Sequence, residues 1–253
     1  IINNLHKLTQ KEVLQGLNLE NLDFYLLDTI DSTNRFAKDT KLQKDYLLVL
    51  SEEQTAGRGR QGKSWYSPNI GNIYLSFKFK SKNLDVPLSL IMGLFISEAM
   101  DEASGIDIHA GLKWPNDLLI KNKKICGILI ESEVLNNEIY WVIGIGVNYA
   151  LPQREAWWGD IGSLENILPR EKLINILVKK IILFINQGYP DWKNQWEARC
   201  MHQQAKVTVT QNDQHKEISG VFNGINEEGK MLLKTTTGIE CIAAGQCSIK
   251  GIY

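Results

Sequence analysis

Three apolar runs stand close together in the middle of this chain, at 118–120, 125–130 and 139–145, with Lys121-Asn122-Lys123-Lys124 and Asn136-Asn137 as the turns. A parallel connection needs a crossover of a dozen or more residues, usually helical. No such length is available here, so the three runs are predicted to form an antiparallel meander. Everything else in the chain has to be arranged around that unit.

Two more strands precede it. The run 46–50 is apolar and bounded by charge, as in a buried strand. The run 73–79 alternates Ile73, Leu75, Phe77 and Phe79 with Tyr74, Ser76 and Lys78, the pattern of a half-buried strand. Asp31-Ser32-Thr33-Asn34 places four capping residues before Arg35, Phe36 and Ala37, a strong helix start. Pro87 opens a second helix with one apolar face (Leu88, Ile91, Met92, Phe95, Ile96, Ala99, Ala103), stopped at Gly105. Pro169 opens a third, 170–186, apolar almost all round and ended by Gly188-Tyr189-Pro190, and a fourth covers about 192–201. From Ala205 the pattern changes to short strands, 207–210, 220–222, 231–234 and 239–242, as in a small β-barrel. A boundary falls near Gln204, giving a lead or linker at 1–22, a core at 23–204 and a barrel at 205–253.

Composition removes several classes. Lys plus Arg is 28 and Asp plus Glu 29, a net charge of −1. A chain so close to neutral has no global basic field for coating nucleic acid. No window approaches 18 uninterrupted apolar residues, so no membrane span is expected. The N-terminus lacks the basic, apolar, small-residue layout of a signal peptide. Cys126, Cys200, Cys241 and Cys247 form no CxxC pair and read as free thiols in a reducing, cytoplasmic compartment. With His6, His109, His202 and His215 they make no justified zinc spacing.

Four stretches carry chemistry. From Gly57 to Trp65 the chain holds three glycines (57, 59, 62) and three cations (Arg58, Arg60, Lys63) with no acid, preceded by Gln54. Glycines let backbone approach a ligand, and Arg gives planar bidentate contacts to carboxylate or phosphate. Alone, a Gly-Arg-Gly-Arg string recurs by chance in solvated basic loops, and this one lacks the ending of a P-loop. Lys113-Trp114-Pro115-Asn116-Asp117 presents an amide and a carboxylate from a rigid turn, suited to Mg²⁺ beside phosphates, or simply an ordinary turn. Lys124 stands at a strand mouth, where a Lys usually points to water. Gly144-Ile145-Gly146-Val147-Asn148 has glycines at alternate positions, leaving one face bare for a ligand or marking a β-bulge. No Ser/His/Asp arrangement suggests a side-chain nucleophile.

Taken in order, Asp31-Ser32-Thr33-Asn34, GRGRQGKSW at 57–65, KWPND at 113–117 with Lys124 following, and GIGVN at 144–148 resemble the biotin protein ligase family over roughly residues 23–253. The resemblance implies an α+β fold with a mixed central sheet and packed helices, like that of lipoate ligases and class II synthetases, followed by an SH3-like barrel. It implies an ATP-dependent biotin–[acetyl-CoA carboxylase] ligase: biotin is activated to biotinyl-5′-AMP with Mg²⁺ and ATP, then transferred to a lysine of the biotin carboxyl carrier protein.

By this resemblance Ser32, Thr33 and Asn34 hydrogen-bond the ureido ring, and Gln54 lies beside the carboxylate. Arg58, Gly59 and Arg60 close over the intermediate, Trp65 borders that loop, and Gly127 forms the pocket floor. Lys63, Trp65, Asn116, Asp117 and Asn148 attend the nucleotide, with Asp117 toward the metal. Lys124 meets carboxylate and α-phosphate, so Lys124, Arg58 and Arg60 carry the catalysis. Lys63 stands where the family often has Arg, and Cys126 where a small apolar residue is common.

A homodimer is implied, and no membrane or nucleic-acid partner for this chain. Relatives that also repress transcription carry a helix-turn-helix domain ahead of the core, which 22 residues cannot hold. The chain starts at Ile1, so what lies upstream decides between a ligase and a ligase–repressor. A lipoate-specific ligase would lack the Gly-Arg loop with its Trp, and a non-catalytic biotin-binding module has no need of Lys124 and Asp117.

Overall fold

The computed structural model describes residues 6–81, 84–152, 155–164, 168–211, 216–244 and 247–250. The chain runs α1 (Gln10–Val13), β1 (Leu22–Ile30), α2 (Thr33–Asp39), β2 (Tyr46–Gln54), β3 (Ile73–Lys80), α3 (Leu88–Ser104), β4 (Gly111–Lys113), β5 (Asp117–Ile120), β6 (Lys123–Leu135), β7 (Glu138–Val147), α4 (Arg170–Gln187) and α5 (Trp192–Ala198). It then adds β8 (Lys206–Gln211), β9 (Lys216–Ile225), β10 (Met231–Thr235), β11 (Gly238–Ile242) and β12 (Cys247–Lys250). The first seven strands form one mixed sheet, ordered β1-β2-β3-β7-β6-β5-β4, in which β1 and β2 are parallel. The last five form an antiparallel sheet, ordered β11-β10-β9-β8-β12.

The meander is present as β5, β6 and β7, antiparallel throughout. Its first hairpin is tighter than the sequence suggests, and its second turns where expected. Lys121 and Asn122 (φ 50° and 59°) make one turn, Asn136 and Asn137 (φ 53° and 62°) the other. Two residues with positive φ match the right-handed twist of the flanking strands, and Asn tolerates that region well. Lys123 and Lys124 are therefore strand residues and not part of the turn.

Strand β3 departs from its half-buried pattern, being buried from Ile73 to Phe79 on both faces. Ile73, Leu75, Phe77 and Phe79 join the main apolar core. The other face packs against α2, whose ends partner Ser76 and Lys78. Ser76 Oγ lies 2.8 Å from Thr33 Oγ1, and the Lys78 ammonium donates to Lys38 O and Thr40 O at 2.9 Å and to Glu133 at 3.2 Å.

Helix α3 ends as expected on Gly105, whose φ of 76° is open to glycine without cost. Helix α4 buries one face, including Leu173, Leu177, Ile181 and Phe184, and leaves Leu183 exposed, so it is not apolar all round in its environment. Helix α5 stops at Ala198, short of 201, because Arg199 O and the Met201 amide are used by the edge of β4 through Leu112.

The segment ahead of β1 packs too. Leu8, Val13 and Leu14 are buried, and Asn175 of α4 donates to Val13 O and Gln15 O at 2.8 and 2.9 Å. One apolar cluster runs from the larger sheet through Phe95 and Trp196 to Phe222 and Leu233 of the smaller one. Cys126, Cys200 and Cys241 are free thiols, while the side chain of Cys247 lies outside the described residues. No helix among the described residues is long and apolar enough to cross a membrane.

Candidate active site

A cleft of about 480 Å³ opens over the middle of the larger sheet. All fourteen site residues named from the sequence line it, from Ser32, Thr33, Asn34 and Gln54, through Arg58, Gly59, Arg60, Lys63 and Trp65, to Asn116, Asp117, Lys124, Gly127 and Asn148. Its floor is the bare patch left by Gly127 on β6 and Gly144 and Gly146 on β7. The ladder is in regular register there, so the glycines mark close approach and not a bulge. A Cβ on Gly144 would stand 2.2 Å from Asn34 Oδ1, and one on Gly146 would stand 2.5 Å from Trp65 Nε1.

At one end the first turn of α2 supplies a hydrogen-bonding edge. The Ser32 hydroxyl caps the helix by accepting from the Arg35 amide at 3.4 Å. Gln54 Oε1 accepts from both Thr33 N and Thr33 Oγ1 (2.9 and 3.0 Å), and Gln54 Nε2 donates to Ser67 Oγ at 2.9 Å. The amide of Asn34 is fixed in direction: Oδ1 lies 2.6 Å from Ser76 Oγ, and Nδ2 donates to Glu131 Oε2 at 3.0 Å. Counting each group's donors and acceptors, a ligand can still meet the Ser32 O–H, one N–H each from Gln54 and Asn34, and one lone pair each on Asn34 and Thr33.

The Gly-Arg loop folds back on itself between β2 and β3. Trp65 N donates to Gly57 O and Gly59 N to Lys63 O, while Gln54 and Ser67 pair across its neck. A Cβ on Gly57 would collide with Trp65 O at 2.4 Å, so this closure depends on glycine. Arg58 turns to Glu131 at 3.2 Å, and Arg60 to Asn116 Oδ1 at 3.1 Å and to Ala244 O in the loop after β11. Lys63 is exposed at the rim.

The opposite end is cationic. Lys124 Nζ is 2.7 Å from Asp117 Oδ1, both side chains being mostly buried, and sits 5.2 Å from the Trp65 ring centroid. Lys113, on the strand paired with Asp117, is buried in the same wall. Its pKa is lowered to about 8 by burial, with Lys124 and Lys63 adding to the fall and Asp117 opposing it. Asn148 donates to Gly159 O at 3.1 Å, but its buried Oδ1 has no partner among the described residues, and neither has Trp65 Nε1. Above them, Tyr66 stacks on Trp158 with centroids 6.4 Å apart, and Trp157 meets Trp158 edge-on. The cleft thus offers a short polar edge, a flat apolar floor and a cationic end with aromatic faces. That arrangement suits a ligand with a small polar head, and an anionic partner carrying a planar ring.

Sequence reasoning missed Ser76, Glu131 and the Tyr66, Trp157 and Trp158 group, and gave Lys113 of the KWPND stretch no role of its own. A serine among the polar positions of β3 and a carboxylate inside the long strand β6 are faint signals, visible only once α2 is known to lie against them.

Residues 26–148 match the Biotin/lipoate A/B protein ligase family, and residues 206–250 match the Biotin protein ligase C terminal domain. The chain is 30% identical over 240 residues to the bifunctional ligase/repressor BirA of Salmonella typhimurium, covering 89% of this chain and 73% of that protein. It is 28% identical to the biotin–[acetyl-CoA-carboxylase] ligase of Paracoccus denitrificans, across 89% of this chain and all of that protein. Among solved structures, a variant of the Aquifex aeolicus biotin protein ligase in complex with biotin superposes with a TM-score of 0.73 at 25% identity, covering 92% of this chain and 99% of that one.

Proposed function

The chain belongs to the Biotin/lipoate A/B protein ligase family, and from that premise we propose that it is an ATP-dependent biotin protein ligase acting on a biotin carboxyl carrier domain. One observation carries the choice of substrate: the residues of the hydrogen-bonding edge at the α2 end line the cleft and keep both donors and acceptors beyond the bonds they make to one another. A ureido ring presents one carbonyl and two N–H groups. The carbonyl suits the Ser32 hydroxyl and the Asn34 N–H, and the ring N–H groups suit the lone pairs of Asn34 and Thr33. A dithiolane ring offers none of these and would leave the edge unpaired in a buried place.

The acyl chain then lies along the glycine floor beside Trp65, with its carboxylate toward Lys124. ATP places its base against the Tyr66, Trp157 and Trp158 faces and its phosphates among Arg60, Lys63, Lys113 and Lys124. The biotin carboxylate attacks the α-phosphorus, the bond to pyrophosphate breaks, and biotinyl-5′-AMP forms. An amine of the carrier lysine then attacks the acyl carbon, loses its proton and displaces AMP. The protein supplies positioning and charge, with no covalent nucleophile of its own. Lys124 lowers the repulsion between carboxylate and α-phosphate, Arg58 and Arg60 close the loop over the intermediate, and Gln54, expected beside the carboxylate, instead holds Thr33 at the α2 end.

Among the described residues the cationic end offers one carboxylate, Asp117, and no cluster of three or more metal-binding side chains. That donor set suits Mg²⁺ delivered on the triphosphate, which needs only one or two protein carboxylates. Asp117 would hold it, where it would draw charge off the phosphates. The free thiols are consistent with a cytoplasmic setting, and family resemblance favours a homodimer. The test is incubation with biotin, MgATP and an apo-carrier domain. Biotin-dependent pyrophosphate release and biotin on one carrier lysine, by intact mass, are the expected results. Transfer of lipoate with none of biotin would overturn the reading.

A further inference from the structure

A buried ion pair lies outside the cleft. Arg170, at the start of α4, and Glu52, on β2, are 2.9 Å apart, with side chains only 2% and 4% exposed. Its other hydrogen bonds go to backbone in separate segments. Glu52 accepts from the Leu8 amide at 2.6 Å; Arg170 donates to His6 O and, at 3.1 Å, to Asn72 O. Asn72, fully buried just ahead of β3, passes the contact on. Its Oδ1 accepts from two consecutive amides, Tyr149 at 2.8 Å and Ala150 at 2.9 Å, and its Nδ2 donates to the Tyr74 hydroxyl at 3.0 Å. Those two amides directly follow Asn148, the cleft residue with the buried, unpartnered Oδ1.

A chain leaving a strand has lost its ladder, and buried amides without partners are costly. One side-chain oxygen that takes both amides sets the direction in which the segment leaves β7. Because the Asn72 carbonyl is tied to Arg170, the side chain cannot follow the segment if it shifts. We propose that Asn72, held by the Arg170–Glu52 pair, is a positioning residue for the nucleotide end of the cleft, fixing segment 148–150 and with it the Asn148 amide. The inference rests on reading that end as the ATP subsite. Nothing about Asn72 in the sequence marks it, and it reaches no ligand.

The experiment uses the full chain and measures pyrophosphate release while MgATP and biotin are varied separately. Asn72→Leu keeps the volume and loses the acceptor. The expected result is a rise of about tenfold or more in KM for MgATP, the size of one or two lost buried hydrogen bonds, with KM for biotin within about twofold. Asn72→Asp, which keeps an oxygen for both amides, recovers most of the loss; a merely structural role would move both substrates and the melting temperature together. Should Asn72→Leu fail to fold, Arg170→Lys, which keeps the charge at Glu52 but loses the fork, shows the same selective rise at smaller size. An unchanged KM for MgATP in a folded variant, or an equal rise for biotin, overturns the proposal. A wild-type enzyme inactive with biotin would instead refute the functional reading; binding of a non-hydrolysable ATP analogue to wild type and variants would then decide on Asn72 by the same criteria.

Discussion

A single methyl group on Gly144 would occupy space held by the Asn34 amide, at 2.2 Å from its oxygen. Asn34 cannot yield easily, because Ser76 and Glu131 hold both ends of its amide. Gly144→Ala is therefore expected to raise KM for biotin by about 10- to 100-fold, the equivalent of 1–3 kcal/mol of lost polar contacts, with KM for MgATP little changed. Steady-state kinetics with each substrate varied would show it. Lys124 and Arg58 separate two steps: Lys124→Ala is expected to slow adenylate formation, seen as a smaller pyrophosphate burst, and Arg58→Ala to speed loss of preformed biotinyl-AMP, seen in its dissociation rate. Unchanged values in both variants would show the roles misplaced. The residues of short motifs were legible in sequence because their chemistry is concentrated locally. Ser76 and Glu131 were not, because they act through Asn34, which lies 42 and 97 residues away in sequence.

At the scale of elements, the meander could be read from spacing alone, since chain length leaves no other connection, although its first turn is two residues shorter than the polar run that marks it. The two-sided burial of β3 could not. Its alternation is genuine, but the polar face meets the ends of α2 in place of water, and a local pattern does not reveal which surface covers it. A second tertiary effect lies between α5 and the smaller sheet. His202 is fully buried, its ring 4.2 Å from Phe222 and 6.2 Å from Trp196, with Nδ1 3.5 Å from Cys200 Sγ. Burial, and to a lesser degree the Lys113 charge, lowers its pKa to about 3 from 6.5. The folded state stays neutral where the unfolded state takes up a proton, so this residue costs stability progressively as pH falls from about 6.5 toward 3. Above 6.5 it has no such effect. His202→Gln is expected to flatten that part of the stability profile, read from urea midpoints at pH 7 and pH 5. An identical loss in both proteins would contradict it.

Over the whole molecule, the N-terminal segment, the sheet and α4 meet at Arg170 and Glu52, and loops of the C-terminal domain reach residues that line the cleft. Trp114 donates to Gly229 O at 3.0 Å, and Arg60 reaches Ala244 O, so loops between the strands of the small sheet hold two stretches that the chemistry uses. Arg170→Met leaves the Glu52 carboxylate buried without a counter-charge, and is expected to cost about 3–5 kcal/mol by urea denaturation. A loss under 1 kcal/mol would show that water reaches the site. The order of motifs along the chain pointed to the family, but sequence did not reveal that residues 6–14 pack into the core, since Leu8 and Val13 stand in no periodic run. The measurement that bears most directly on the whole account is carrier modification with biotin and lipoate in parallel, each with MgATP and an apo-carrier domain. The account predicts biotin on one lysine, with biotin preferred to lipoate by about 10⁴-fold in kcat/KM, as for a site whose buried polar edge goes unpaired with the wrong ligand. Equal use of the two acids, or transfer of lipoate alone, would contradict it.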